Sequence, residues 1–503
     1  MNNEMIGSKR LLSIDIMRGC ALLGVVIVHG LIFGIWYEID TALNSLNTLA
    51  TILLFPVILM APMAGLFAFI STVSNFLAAN NRMKKGASLW HSLQPLLITG
   101  TVLLILHFIF ASFFNHNNAS MFPPKDNIFG YPMGDKILAT FPASIQQGRW
   151  VLPTFENLLL MEALGMLSMV SFVMAFFLFL LWRKGGYEKI KRNLTILFIV
   201  AFVWTFLAPY VWALLWRLLN FCWNSSNLFV KAMSIPLSLF SAKRHPIITI
   251  APFVLFGMWF ALYLSTSPTK REFSLVTTKM ATLMTIFLVL SLSFKIFVVL
   301  FHDNFVWNFL DKIGVIDSLR LNAPPKTDLS LDSISTGNVK NAIFNFYVLP
   351  TELFFLAMTF VFWVAPQLVK FFDYRSDADK IKLSRRFLPI KWFGIISLSI
   401  FFLESIIFTA WATLFHGLFG VPFSTYMQGA SDPMMKNPVV CIIYAISLLG
   451  IWFFILWSWS KINFAFSMEW LINKITAPLR KEKSTKLQAI DDTNIYSSSG
   501  DNE

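Results

Sequence analysis

Polar and apolar residues alternate along this chain in blocks of about 20 rather than every second or fourth position. A helix rises about 1.5 Å per residue, so some 20 apolar residues cross a hydrocarbon core of roughly 30 Å. Ten segments meet that condition: 17–36, 48–70, 93–114, 155–182, 194–216, 247–264, 275–301, 350–371, 393–418 and 439–457. The pattern predicts an all-α polytopic membrane protein of about ten transmembrane helices. It forms a single transmembrane domain over residues 1–480, and the Ser-rich, weakly acidic residues 481–503 read as a disordered cytoplasmic tail. Three long connections, 115–152, 217–246 and 302–349, are rich in Asn, Pro, Ser and aromatic residues and read as a cap or acceptor site on one side. The connections on the other side are short and basic, among them NRMKK, RKGGYEKIKR, PTKRE and DADKIKLSRR.

Composition agrees with the blocks. The chain of 503 residues is 56% hydrophobic and only 13% charged, where a soluble domain keeps about a quarter of its residues charged. Of 40 Lys and Arg, 27 fall on the side of the N-terminus, 12 on the other, and Lys295 inside the seventh span. The positive-inside rule then places both termini in the cytoplasm. It also accounts for the net charge of +13 without nucleic acid. The opening MNNEMIGSKR is short and no small-residue cleavage pattern follows the first span, so that span is expected to stay in the mature protein. Cys20, Cys222 and Cys441 have no metal or redox spacing. Pro153-Thr154 and Pro350-Thr351 each precede an acid at a span entrance, which is too little to make an internal repeat. The expected location is a multi-pass position in a bacterial inner membrane.

Ionisable residues within spans are costly and are therefore functional candidates by default. Glu352 and Glu156 follow Pro350 and Pro153 at the first helical turn, where Pro fits and an acid meets the positive end of the helix dipole, so both read as structural. Lys295 lies near the end of its span and can snorkel. His107 and Glu162 form a second, weaker pair that reads as packing. His29 and Glu404 stand out. Each lies eleven residues beyond the cytoplasmic edge of its span, His29 from Arg18 and Glu404 from Phe393, hence at about 16 Å depth. An imidazole beside a carboxylate is an acid/base device; the plain alternative is that each hydrogen-bonds a neighbour in a crevice. Asp15 and Arg18 stand three apart at the cytoplasmic mouth, a spacing that allows an ion pair on one face. A guanidinium fixed there suits a phosphate or pyrophosphate, and equally serves as a positive anchor.

The stretch RLLSIDIMRGCALLGVVIVHG, residues 10–30, resembles the opening signature of the transmembrane acyltransferase superfamily, in which R, D and R-G-x-A lead into a helix ending in His or Asn. The acyltransferase-3 branch has a catalytic His where His29 stands. The heparan-alpha-glucosaminide N-acetyltransferase-like and YeiB-like branches have Asn there, yet further segments are similar to those two. These are LFAFISTVSNFLAANNRMKKGASLW, HPIITIAPFVLFGMWFALYL, FGIISLSIFFLES and MEWLINKITAP. The chain departs from them at Asp40, in place of the outer-loop His of the heparan enzymes, and at Glu404, in place of Gln.

The resemblance implies a membrane acyltransferase that moves an acyl group, such as acetyl, from cytoplasmic acyl-CoA to a hydroxyl or amine of an extracytoplasmic acceptor, a glycan for instance. Acyl-CoA is then the donor substrate, with no metal. His29 is expected to be the base, Glu404 its orienting partner, and Arg18 with Asp15 the contact to donor phosphates. The spans alone suit a proton-coupled transporter of a small solute or lipid as well. No Gly-rich nucleotide loop or H-E-x-x-H motif points to hydrolysis or phosphoryl transfer.

Overall fold

The computed structural model describes residues 11–31, 63–114, 150, 152–153, 158–159, 161, 163–183, 189–241, 246–300, 349–418 and 438–479. Helices make up nearly all of them, and no strand occurs among them. In chain order they are α1 (Leu12–Leu31), α2 (Met63–Lys84), α3 (Leu89–Phe113), α4 (Ala163–Trp182), α5 (Ile190–Trp223), α6 (Leu228–Ala232), α7 (Ser234–Ser241) and α8 (Ile247–Ser265). They continue as α9 (Lys270–Leu300), α10 (Leu349–Phe372), α11 (Asp377–Arg386), α12 (Leu388–Ile395), α13 (Ser397–Leu418), α14 (Pro438–Ser460) and α15 (Met468–Leu479). Eight helices among the described residues are long and apolar enough to cross a membrane: α1, α3, α4, α5, α8, α9, α10 and α14. The chain is an integral, multi-pass membrane protein.

Of the ten expected spans, the second lies largely outside the described residues and the ninth is interrupted. The second, 48–70, is described only from Met63, and its helix runs on to Lys84. The ninth, 393–418, is interrupted at Ile396 (φ −115°, ψ 41°), which separates α12 from α13. The first helix also begins earlier than its hydropathy suggests, at Leu12, so Asp15 lies inside it together with Arg18, which the expected span already included. The expected polar connection 217–246 is largely helical. Trp212, Trp216, Leu219 and Trp223 form one stripe, which prolongs α5 and packs against Ile235 and Leu237 of α7. Asp40, Glu156, Glu162, the Lys295 side chain, most of the other two long connections and the tail 481–503 lie outside the described residues.

Side-chain contacts fix the relative directions of the helices. Asp373, just past the end of α10, accepts from Leu12 N–H (2.8 Å), Ser13 N–H (3.3 Å) and the Ser13 hydroxyl, so an acid from a distant helix caps the start of α1. Lys84 at the end of α2 donates to the Ser265 carbonyl at the end of α8. Tyr374 donates to Pro268 O (2.8 Å), Lys370 to Ser274 Oγ (2.9 Å), and Arg192 to Leu181 O (3.4 Å). These contacts bring the starts of α1 and α9 to the ends of α2, α8 and α10, and the start of α5 to the end of α4. Lys84, Lys85, Arg183, Lys189, Lys270 and Arg375 belong to those ends.

At the centre lies α8, with 89% of its spanning window buried inside the protein. Phe69, Phe256, Phe260 and Phe362 interlock there at centroid separations of 5.9–6.2 Å. Between helices in lipid there is no hydrophobic driving force, so dispersion and close backbone approach hold the bundle. The outward surface is the reverse: Ile199, Val203, Phe206, Tyr210 and Leu214 are exposed along one face of α5, and Ile286, Val289 and Leu290 on α9.

Helix α1 is wedged between α12 and α14 through two glycines eleven residues apart. A Cβ on Gly19 would lie 2.1 Å from the Ile390 carbonyl oxygen, and one on Gly30 2.3 Å from Leu448 Cδ2. The first obstacle is backbone and cannot swing aside; the second is the end of a flexible side chain. Gly19→Ala is therefore expected to lower stability by about 3 kcal/mol or more and Gly30→Ala by about 1 kcal/mol. Thermal unfolding of the two variants in detergent checks the order.

Candidate functional site

Each glycine follows a polar residue, giving Arg18-Gly19 and His29-Gly30. Eleven residues are about three turns, so Arg18 and His29 share one face of α1, separated by roughly 16 Å along the axis. The adjoining glycine face lets α12 and α14 approach, and the polar face meets α2 and α13.

His29 Nδ1 and Glu404 Oε1 are 2.9 Å apart. The contact joins positions 375 residues apart in sequence. Glu404 is almost fully buried, its side chain 5% exposed, whereas that of His29 is 32% exposed. The pair thus has an inner acid and an outer imidazole. With Nδ1–H donating to the carboxylate, the base function of the ring falls to Nε2. The second carboxylate oxygen, Oε2, is buried with no hydrogen-bond partner among the described residues. A carboxylate so held is poorly solvated, which strengthens its attraction for an imidazolium. One turn beyond Glu404, Phe408 O accepts from the Tyr444 hydroxyl (3.4 Å), and the Tyr444 ring lies 3.8 Å from the Cβ position of Gly30. Tyr444 thereby braces α13 and α1 from α14.

Arg18 is half-buried, and its Nη2 donates to Ser74 Oγ on α2 at 2.6 Å; Ser74 in turn donates to Ile70 O. Scanning for ionisable residues misses Ser74, because a serine in a span carries no charge signal. Asp15 is buried in the first turn of α1, and its carbonyl oxygen lies 3.1 Å from the Cβ position of Gly394. Asp15 therefore sits at the crossing of α1 with α12.

The remaining candidates lie elsewhere. His107 is fully buried on α3, its Cδ2 2.9 Å from the Cβ position of Gly165 on α4, a packing contact within the core. Glu352 sits in the first turn of α10. Cys20, Cys222 and Cys441 are free thiols. Among the described residues no group of three or more His, Cys, Asp or Glu is placed to hold a metal ion.

No family model matches the chain, and no curated protein or solved structure matches it.

Removing one member of a buried pair strands the other, so His29→Ala and Glu404→Ala are not independent. Their double-mutant cycle is expected to show a coupling of about 1–3 kcal/mol, the double variant being more stable than additivity predicts. Unfolding in detergent of the four proteins measures it; additive losses would mean that the contact contributes nothing.

Proposed function

We propose that the chain is a membrane acyltransferase of the transmembrane acyltransferase superfamily, working at His29 and Glu404. The observation that carries this reading is the 2.9 Å contact of a buried carboxylate with a partly exposed imidazole. It supplies an oriented base within a membrane domain. A hydroxyl or amine of the acceptor attacks the carbonyl carbon of an acyl-CoA thioester. His29 Nε2 takes the acceptor's proton, the C–S bond breaks, and the proton passes to the departing thiolate. General-base help of this kind is worth about 10²- to 10⁴-fold in rate. Glu404 fixes the ring and balances the imidazolium. Arg18, steadied by Ser74, faces the donor's phosphates near the basic end of the bundle, and the pantetheine arm extends along the polar face of α1 toward His29.

On this reading the basic end is cytoplasmic, both termini lie there, and the acceptor, a glycan for example, arrives from the other side. The interruption at Ile396 favours a second reading, since broken helices are a hallmark of transporters of small solutes or lipids.

Equilibrium binding of coenzyme A and acetyl-coenzyme A to the purified protein separates the two. The acyltransferase predicts saturable binding, weakened about tenfold or more by Arg18→Ala, a loss of about 1.4 kcal/mol or more, and retained in His29→Ala. Absence of binding to a folded sample of all three proteins would overturn it in favour of transport.

A further inference from the structure

The turn after α14 is unusual in its backbone. Asn463, Phe464 and Phe466 adopt φ of 52°, 51° and 64°, a region that crowds Cβ against the carbonyl oxygen and is left almost entirely to glycine. Three such residues within four persist only where neighbouring structure holds them. Phe464 is buried beside Trp459, whose indole N–H donates to Ala465 O at 2.7 Å. The stronger restraint follows. Met468 N–H donates to Ser399 Oγ at 2.8 Å, the Ser399 hydroxyl donates to Glu469 Oε2 at 2.6 Å, and Glu469 Oε1 accepts from the N–H groups of Leu398 and Ser399. The starts of α13 and α15 therefore meet across one carboxyl and one hydroxyl. This junction lies directly above the interruption at Ile396, and Glu404 follows on the same helix.

We propose that Glu469 is a positioning residue of the His29–Glu404 pair: a latch that docks α15 on the broken end of α13, its proton deciding how firmly that helix, and Glu404 with it, is held against α1. The inference rests on the reading of that pair as the functional site.

Charged and titratable groups of the surrounding elements are engaged elsewhere. Lys474 lies over Trp470, Lys461 over Trp457, Lys391 on Ser384, Glu404 on His29 and His107 against Gly165, while His91 is exposed at the start of α3. Burial is then the dominant influence on Glu469. It raises the carboxyl from an ordinary 4.5 to about 7, against the opposing effect of the Ser399 hydroxyl and the N–H groups of Glu469, Leu398 and Ser399. An acid protonated on Oε2 keeps the two N–H bonds to Oε1 and reverses the third contact: Oε2–H then donates to Ser399 Oγ, which also accepts from Met468. An ionised one leaves a charge buried between neutral dipoles.

Docking therefore binds the proton more tightly than the open, hydrated state does. The latch is fully stabilised below about pH 4.5 and loosens as pH rises through about 7. Between pH 6 and 8 the open fraction is expected to grow about tenfold.

Hydrogen exchange of residues 398–404 and 468–475, corrected for intrinsic rates and recorded at pH 6 and 8 on the full-length protein, tests this without any acyl donor. The wild type should lose protection about tenfold at pH 8. Glu469→Gln, whose amide repeats the donor and acceptor of the protonated acid, should stay protected at both values, and Glu469→Ala should be open at both. Equal protection of the wild type at the two values, or Glu469→Gln as open as Glu469→Ala, would overturn the latch. Neither result depends on whether coenzyme A binds.

Discussion

The hydrocarbon layer offers no water, so an ionisable side chain that enters it is costly unless a partner group meets it. In this protein one helix collects those partners. The start of α1 is capped by Asp373 from beyond α10, its Arg18 reaches Ser74 on α2, and its His29 meets Glu404 on α13. Between these contacts Gly19 and Gly30 remove the Cβ atoms that would hold α12 and α14 away. The polar face and the glycine face have the same eleven-residue repeat, so chemistry and packing are set by one register. Rotating α1 by a single residue would break both.

Two carboxylates complete the arrangement from outside the spans. Asp373 and Glu469 each satisfy the first N–H groups of a helix far away in sequence, α1 and α13 respectively. These are the two helices that hold His29 and Glu404. The geometry of the pair thus depends on caps supplied by distant segments at the starts of α1 and α13, where the first N–H groups have no partner within their own helix. Asp373 fixes a helix that is continuous. Glu469 fixes one that is broken, which is where a change of protonation has the greatest leverage.

Much of this was legible in the chain. Blocks of 20 apolar residues announce the spans, and eight of the described helices meet the length and hydropathy of a membrane crossing. His29 and Glu404 stand out because an ionisable residue in an apolar run is conspicuous, and counting from the basic edge places them at similar depth. Three features were hidden. The interruption at Ile396 lies in FGIISLSIFFLES, a largely apolar run with no Pro, and the carboxylate that caps the helix resuming after it lies 70 residues beyond Ser399. Ser74 carries no charge and so gives no signal. The helical character of 217–241 was masked by its Asn and Ser residues, although the tryptophans at 212, 216 and 223 carry a helical spacing that identifies it.

The account turns on His29 acting as a base toward an acyl thioester. The most direct measurement is thiol release from acetyl-coenzyme A by inverted membrane vesicles that contain the protein together with their native acceptors. Wild-type vesicles should release coenzyme A well above vesicles lacking the protein, and His29→Ala, inserted at the same level, should fall to that background. Release by His29→Ala equal to that of the wild type would contradict it.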